Sequence, residues 1–346
     1  MNEYDIKLSL LLKKYLLLVF FILSHALFEQ AVSAENHLPL SLFKAESCYL
    51  GDECFRYISE KPTMIDRFLG PVFMPNISFR EVFRTESEVI YDKTYKINSF
   101  GHRLSARQNG EQKYFSLFLG GSFTFGSGLD LEDSLPSLFA IKNTNFESYN
   151  YSISGVGTNT IAALSEFGGY TREINQESGI VVYVFINDHV ARATGKLPSL
   201  LWLGESPYYS PKSFQREGTL NGHLGWKGKV LRAAYEWLPF LRSRVFPAIS
   251  EDDYLYTCHL IKKIKDNTMN HFKKSEFLVY FHPFDEPLIS ESLQRCLKAS
   301  DIAILKGDHL KDGKYKIPVD GHPNSLTNEI MASELNEYVE KISKFN

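Results

Sequence analysis

The chain has 346 residues, of which 44% are hydrophobic, so it can bury a substantial core as one large domain with insertions or as two small domains. Its 38 Lys and Arg residues nearly balance its 41 Asp and Glu residues. The resulting net charge of −3 gives no electrostatic reason to expect a nucleic-acid partner.

Residues 1–34 have the pattern of a secretory signal peptide. Two lysines precede an apolar run from Tyr15 to Phe28, and Val32 and Ala34 stand at the −3 and −1 positions of a cleavage site. The run is short for a membrane-spanning helix, which needs about 20 residues. We therefore expect cleavage after Ala34 and an exported protein, periplasmic or secreted. A retained N-terminal segment is the alternative, and it would be the protein's contact with a membrane.

Four cysteines follow the predicted cleavage site. Cys48 and Cys54 would close a small loop, which leaves Cys258 to pair with Cys296. Four cysteines allow three pairings, and proximity along the chain favours this one. A metal site is the rival interpretation, but neither pair has the two-residue spacing typical of zinc ligands. We therefore expect structural disulfides.

Residues 35–112 form a polar, irregular N-terminal extension. The short alternating segments Glu88–Tyr91 and Thr94–Ile97 predict strands. The turn-rich segment Asn98–Arg103 is expected to pack near the serine loop described below.

From Tyr114 onward, predicted strands and helices alternate. This alternation implies a parallel sheet covered by helices on both faces, with ligands bound beyond the carboxyl ends of the strands. The five predicted strands are Tyr114–Leu119, Phe146–Ile153, Gly179–Ile186, Phe277–Phe281 and Asp301–Leu305. The predicted helices are Ser134–Ile141, Thr158–Ile174, Glu251–Phe272 and Ser325–Ile342.

Residues 190–250 interrupt the alternation after the third strand. This insertion contains all three tryptophans of the chain, Trp202, Trp226 and Trp237. An insertion here would overhang the strand ends, where a lid belongs. The alternative is an insertion that packs on the domain without contacting the substrate.

Ser122 stands between two pairs of glycines, directly after the first predicted strand of the alternating region. Gly120 and Gly121 precede it, and Gly126 and Gly128 follow. The pattern suggests a backbone kept clear so that a substrate can approach the hydroxyl. A serine at this point can supply both an attacking oxygen and one backbone N–H donor for an oxyanion. A purely structural Gly-Ser turn is the alternative.

Two further candidates follow the next two strands. The Gly155 N–H could face the same cleft, unless the segment is an ordinary glycine-rich turn. The Asn187 side chain is a neutral donor suited to an oxyanion, or else a helix cap. His189 follows closely, but a lone histidine here is more often a loop or packing residue.

The segment Ile317–Asn324 supplies a better base, directly before the last helix. Asp320 and His322 lie on one short loop, close enough for a carboxylate to orient an imidazole. His322 would accept the Ser122 proton. A turn with a surface histidine is the alternative, and it weakens because four candidate segments occur in order at successive strand ends.

Taken together, these segments resemble the SGNH hydrolases, also called the GDSL esterase/lipase family. The serine block appears as Gly120–Gly126, the glycine block as Gly155, the asparagine block as Asn187–Asp188 and the histidine block as Asp320–Pro323. The resemblance covers roughly residues 113–342, within a predicted hydrolase domain of residues 113–346.

The resemblance implies a three-layer, flavodoxin-like fold and a catalytic triad of Ser122, His322 and Asp320. It also implies an oxyanion hole from the N–H groups of Ser122 and Gly155 and the side-chain amide of Asn187. No metal and no organic cofactor are expected.

The chain departs from the family pattern at three points. Gly121 stands where the family has an aspartate, and Phe185 where it has a glycine. Asp320 and His322 are two residues apart, whereas the family commonly spaces them by three. Asp308 is the substitute for Asp320 that this spacing suggests.

The leading interpretation is an exported serine hydrolase that cleaves a carboxylic ester, such as an acetyl or short acyl ester of a small molecule or a glycan. One alternative is an O-acyltransferase that uses the same site on a polysaccharide. Another is an inactive module that keeps the cleft to bind a glycan.

Overall fold

The computed structural model describes residues 43–45, 54–59, 61–237, 247–283, 290–342 and 345. The predicted signal peptide and Cys48 lie outside these residues. The described residues belong to one compact unit. Among the described helices, none is both long and apolar enough to cross a membrane.

The N-terminal extension contains an antiparallel sheet and a hairpin. The sheet has the order β1-β2-β5-β6, and β3 pairs with β4. Val89–Lys96 is one continuous strand where the sequence predicted two short ones, because Tyr91 and Tyr95 continue the same buried face. The strands are β1 (Phe43–Ala45), β2 (Cys54–Ile58), β3 (Thr63–Asp66), β4 (Gly70–Phe73), β5 (Ser78–Thr85) and β6 (Val89–Lys96).

A five-stranded parallel sheet forms the centre of the molecule, with the order β13-β12-β9-β7-β8. This is the strand order of a flavodoxin-like fold, and it confirms the predicted fold class. The order reverses between β7 and β9, so a crevice opens there beyond the strand ends. The strands are β7 (Tyr114–Leu119), β8 (Phe146–Asn150), β9 (Gly179–Phe185), β12 (Glu276–Phe281) and β13 (Ala303–Lys306), while β10 (Pro207–Tyr209) and β11 (Arg216–Thr219) form a hairpin in the insertion.

Helices cover both faces of the central sheet. They are α1 (Ser122–Phe125), α2 (Leu135–Lys142), α3 (Thr158–Phe167), α4 (Asp188–Ala193), α5 (Leu200–Leu203), α6 (Leu220–Trp237), α7 (Glu251–His271), α8 (Glu291–Ala299) and α9 (Ser325–Glu340). One apolar core lies between the sheet and α3, α7 and α8, and the other lies between the sheet and α2 and α9. The three layers therefore follow from alternate strand residues that face opposite cores.

Most of the predicted helices are present with small shifts at their ends. Helix α3 ends at Phe167 rather than Ile174 because Gly168 and Gly169 follow, and Gly169 has a left-handed φ of 64°. Helix α8 was not predicted. It buries only Leu293 and Leu297 on a largely polar segment, so its apolar pattern is short.

The Cys258–Cys296 disulfide joins α7 to α8, as the sequence predicted. The other predicted pair includes Cys48, which lies outside the described residues.

The N-terminal extension packs directly on the helix that carries Ser122. Phe73 and Tyr95 lie with their ring centroids 5.0 and 5.1 Å from that of Phe125, the last residue of α1. Arg103, which is buried, donates to the carbonyls of Phe125, Gly126 and Leu129 at 2.6–2.9 Å. Of the segment Asn98–Arg103, expected to pack near the serine loop, Arg103 makes this contact and satisfies carbonyl groups at the end of α1, whereas Asn98 and His102 bond to Glu173.

Candidate active site

Ser122 is the first residue of α1 and lies at the carboxyl end of β7. Its Oγ is 2.8 Å from Nε2 of His322, 200 residues further along the chain. The side chain is largely enclosed, since Ser122 is only 9% exposed. Ser122 follows the N-cap residue Gly121, at a position where a backbone N–H has no partner within the helix.

The loop before α9 brings Asp320 to His322 in spite of their short spacing. Asp320 Oδ2 lies 2.5 Å from His322 Nδ1. Gly321, between them, has a φ of 82°, and its N–H donates to the carbonyl of Ile317 at 2.9 Å. The left-handed glycine folds the loop back on itself, so a spacing of two residues suffices for the contact. Asp308, the substitute suggested by the sequence, is exposed at the start of a separate single turn.

Asp320 is held as a buried carboxylate. Its side chain is 2% exposed, and its second oxygen, Oδ1, accepts from Arg56 Nη2 at 2.8 Å. Burial alone raises the pKa of Asp320, but the neighbouring His322 and Arg56 outweigh that effect and hold it below its ordinary value. The carboxylate is therefore ionised at neutral pH and able to orient the imidazole.

The glycines around Ser122 make room for neighbouring side chains rather than for an incoming ligand. A Cβ on Gly121 would lie 2.8 Å from His189 Nε2, and one on Gly126 would lie 2.8 Å from Arg103 Nη1. Gly126 also ends α1 with a φ of 84°. The sequence suggested that these glycines leave room for a substrate to approach the hydroxyl, but the room they leave is filled by neighbouring side chains.

The loops after β8 and β9 flank the serine loop because these strands are the two neighbours of β7 in the sheet. The Ile153 N–H donates to the Gly120 carbonyl at 3.1 Å, which ties the β8 end to the β7 end. Gly155 follows with a φ of 80°, and its carbonyl accepts from Trp202 Nε1 at 3.2 Å. The insertion therefore contacts the loop of a candidate oxyanion donor, and Trp202 remains 51% exposed there.

Asn187 directly precedes α4, but its side chain makes no capping hydrogen bond. Its Oδ1 instead accepts from the hydroxyl of Tyr254 on α7 at 2.9 Å. This contact holds the Asn187 side chain against α7. Beneath it, Phe185 packs edge-on against Phe281 with ring centroids 5.4 Å apart. Aromatic packing thus fills the space at position 185, where the resembled family pattern has a glycine.

Two other histidines near the site are buried and neutral. The His189 Nδ1 lies 3.0 Å from the Tyr183 hydroxyl, and burial, reinforced by Arg192, puts the pKa of His189 well below its ordinary value. Burial, together with Lys316 and His322, lowers the pKa of His282 to about 3. Neither histidine fits the role of a base, and for His189 this agrees with the packing role weighed from the sequence.

Sequence reasoning predicted the contacts of none of three residues at this site, although it placed Trp202 in the insertion expected to overhang the strand ends. Arg56 contacts Asp320, Tyr254 contacts Asn187, and Trp202 contacts Gly155. None of them belongs to a local motif, so only the folded chain reveals these contacts. Within the described part of the chain, no group of three or more His, Cys, Asp or Glu side chains could hold a metal ion.

No protein-family model matches the sequence, and no curated protein sequence does either. Several solved structures are similar to the chain. One is a putative lipolytic protein of the G-D-S-L family from Desulfitobacterium hafniense, with 10% identity over 64% of this chain and 98% of that one and a TM-score of 0.36. Another is a carbohydrate esterase family 2 enzyme with a carbohydrate-binding domain from Corynascus thermopiles (Myceliophthora fergusii), with 15% identity over 86% and 88% of the two chains and a TM-score of 0.41.

A family two carbohydrate esterase from Clostridium thermocellum, solved in complex with cellohexaose, has 10% identity over 78% of this chain and 76% of that one, with a TM-score of 0.41. Proteins of the lipolytic family that the sequence motifs resemble are therefore among the structures similar to this chain. At these low identities and TM-scores, the similarity assigns neither an activity nor a substrate.

Proposed function

We propose that the protein is a serine ester hydrolase with Ser122 as nucleophile, His322 as general base and Asp320 as the residue that orients His322. The observation that carries this proposal is the unbroken series of hydrogen bonds from Ser122 Oγ through the His322 ring to the buried Asp320 carboxylate. A hydroxyl, an imidazole and a carboxylate in this order form the arrangement that activates a serine for acyl transfer.

In the proposed reaction, Ser122 Oγ attacks the carbonyl carbon of the ester, and its proton moves to His322 Nε2. The Asp320 carboxylate stabilises the imidazolium that forms. The N–H groups of Ser122 and Gly155 and the Asn187 amide donate to the tetrahedral oxyanion. The leaving alcohol then takes the proton from His322, and an acyl-enzyme remains.

Water completes the cycle. His322 accepts a proton from the water molecule as its oxygen attacks the acyl carbon, and it returns that proton to Ser122 Oγ when the second tetrahedral intermediate collapses. The products are a carboxylic acid and a regenerated serine. A sugar hydroxyl in place of water would give the acyltransferase reaction, so product analysis with and without a glycan acceptor separates the two.

We further propose export and a short acyl or acetyl ester, on a small molecule or a glycan, as the substrate class. The Cys258–Cys296 disulfide supports export, because such bonds persist in oxidising compartments. The half-exposed Trp202 beside Gly155 offers a flat apolar surface to whatever the acyl group is attached to.

The test uses a short-chain p-nitrophenyl ester and a fluorophosphonate probe. Ser122→Ala is expected to lower kcat by at least about 10³-fold, because the nucleophile is gone, and to abolish labelling by the probe. Ser154→Ala, an exposed serine on the neighbouring loop, is the control and should keep both. Undiminished turnover in Ser122→Ala would remove Ser122 from the mechanism, and a wild-type protein that neither turns over esters nor reacts with the probe would favour the inactive binding module.

A further inference from the structure

Arg56 on β2 connects the N-terminal sheet to the candidate triad. Its Nη2 donates to Asp320 Oδ1 at 2.8 Å, across 264 residues of sequence. Each oxygen of Asp320 thus has a side-chain partner, Arg56 on Oδ1 and the His322 ring on Oδ2, and the His322 backbone N–H also donates to this carboxylate. A carboxylate bound at both oxygens cannot rotate about its Cβ–Cγ bond without breaking a charge-assisted hydrogen bond.

Arg56 is itself held by neighbours on β5 and β6, the next two strands in the sheet. Its Nη1 donates to Glu81 on β5 and to the Tyr91 hydroxyl on β6, the latter at 2.9 Å. Its guanidinium carbon lies 5.1 Å from the centre of the Phe83 ring. Three contacts on two strands and a fourth on the loop before α9 hold this guanidinium, which is unlike the single loose contact of a surface ion pair.

We propose that Arg56 is a positioning residue of the active site, which orients the Asp320 carboxylate toward His322 and balances its charge. The N-terminal sheet is then part of the active site rather than an appendage to it. This inference rests on the proposed function, because it assigns Arg56 a role in the same reaction.

The charges around Asp320 fix the sign of the expected effect. Arg56, Glu81, Tyr91 and His322 are the titratable groups that face this carboxylate or the guanidinium bound to it. With Arg56 in place, two carboxylates face one permanent cation, and a proton on His322 makes the group neutral. Without Arg56, the Asp320 carboxylate takes up a proton at higher pH and also attracts the imidazolium more strongly. As the pH falls, both effects therefore remove the active form, in which Asp320 is ionised and His322 is neutral, at a higher pH than in the wild-type protein.

The experiment compares Arg56→Gln and Arg56→Lys with the wild-type full chain. In Arg56→Gln, kcat for a p-nitrophenyl ester should fall on the order of tenfold with KM little changed, and the acid limb of the kcat/KM profile should move up by roughly half to one pH unit. Arg56→Lys keeps the charge but cannot bridge Glu81 and Asp320 as a planar fork does. It should lower kcat while the acid limb stays in place.

Arg80→Gln is the matched control. Arg80 lies on the same sheet and pairs with Asp92 at the surface, without contact to Asp320. It should leave kcat and the pH profile unchanged. Urea unfolding of every variant confirms that folded protein is compared, and Arg56→Lys carries the test if Arg56→Gln does not fold.

A second measurement does not depend on turnover. The low-field proton signal of an imidazole N–H bound to a carboxylate should be present in wild type and Arg80→Gln, and it should shift or broaden in both Arg56 variants. A wild-type protein without esterase activity would defeat the proposed function while this signal still tests Arg56. Unchanged kcat, acid limb and proton signal in the Arg56 variants would overturn the inference. An acid limb that moves to lower pH would also overturn it, because such a shift reports only a lost Asp320–His322 contact.

Discussion

Replacing Asp320 by asparagine tests the candidate site most sharply. The change keeps the size and shape of the side chain but turns an acceptor-only carboxylate into an amide. His322 Nδ1 lies 2.5 Å from Asp320 Oδ2, so an amide nitrogen at that position would donate to Nδ1. The imidazole would then carry its proton on Nε2, the atom that has to accept the proton of Ser122.

The magnitude follows from this loss of the correct tautomer. Serine proteases with the corresponding Asp→Asn change lose about 10⁴ in kcat, and we expect a loss of about 10³–10⁴-fold here, or roughly 4–5 kcal/mol in the barrier. The free energy of unfolding should also fall. Removing one partner of a fully buried ion pair costs about 3–5 kcal/mol. Because the Arg56 side chain is 24% exposed and keeps Glu81, we expect a smaller loss of about 1–2 kcal/mol.

The assay is kcat for a short-chain p-nitrophenyl ester, with urea unfolding measured in parallel. Asp308→Asn is the control, because Asp308 is the other aspartate that the sequence offers and is exposed. It should change neither kcat nor stability. Asp320→Asn with kcat within tenfold of wild type, or an equal loss in Asp308→Asn, would refute the assignment of Asp320.

Two further predictions concern the residues around the oxyanion site. Tyr254→Phe removes the donor to Asn187 Oδ1, and it should lower kcat by about three- to tenfold at unchanged KM, in line with the loss of one hydrogen bond; steady-state kinetics equal to wild type would contradict this. Trp202→Ala should lower kcat/KM on acetylated oligosaccharides about tenfold. Trp202→Phe, which keeps a ring but loses the hydrogen bond to Gly155, should lower kcat/KM less, and so should Trp226→Ala, the exposed control. Equal losses in the Trp202→Ala and Trp226→Ala variants would count against a substrate contact at Trp202.

The centre of the sheet was predictable because β7 and β9 are buried on both faces. Every residue of β7 and β9 is buried, and such short continuous runs between turns are typical of interior parallel strands. Ser122 and His322 could also be identified as candidate nucleophile and base, because each lies in a short motif beside the end of a strand or the start of a helix. Local patterns of this kind are visible without knowing the fold.

Contacts between distant segments were not predictable in the same way. Arg56 sits on a strand with no motif around it, and its partner Asp320 is 264 residues away. Tyr254 lies in the first turn of a long helix, where its hydroxyl could have faced solvent. For both residues, the role of the side chain depends on how two elements pack together, and a single sequence does not show that packing directly.

Gly121 shows how a departure from a motif can have a compensating change in the fold. The space that a side chain at position 121 would take is occupied by His189, whose Nε2 lies 2.8 Å from the place of a Cβ. His189 is held there by the Tyr183 hydroxyl, with the two rings parallel to within 4°. A buried, neutral ring thus supports the serine loop from the side of β9. Since this ring and a side chain at position 121 exclude each other, the glycine at position 121 and the buried His189 are one structural feature of this chain.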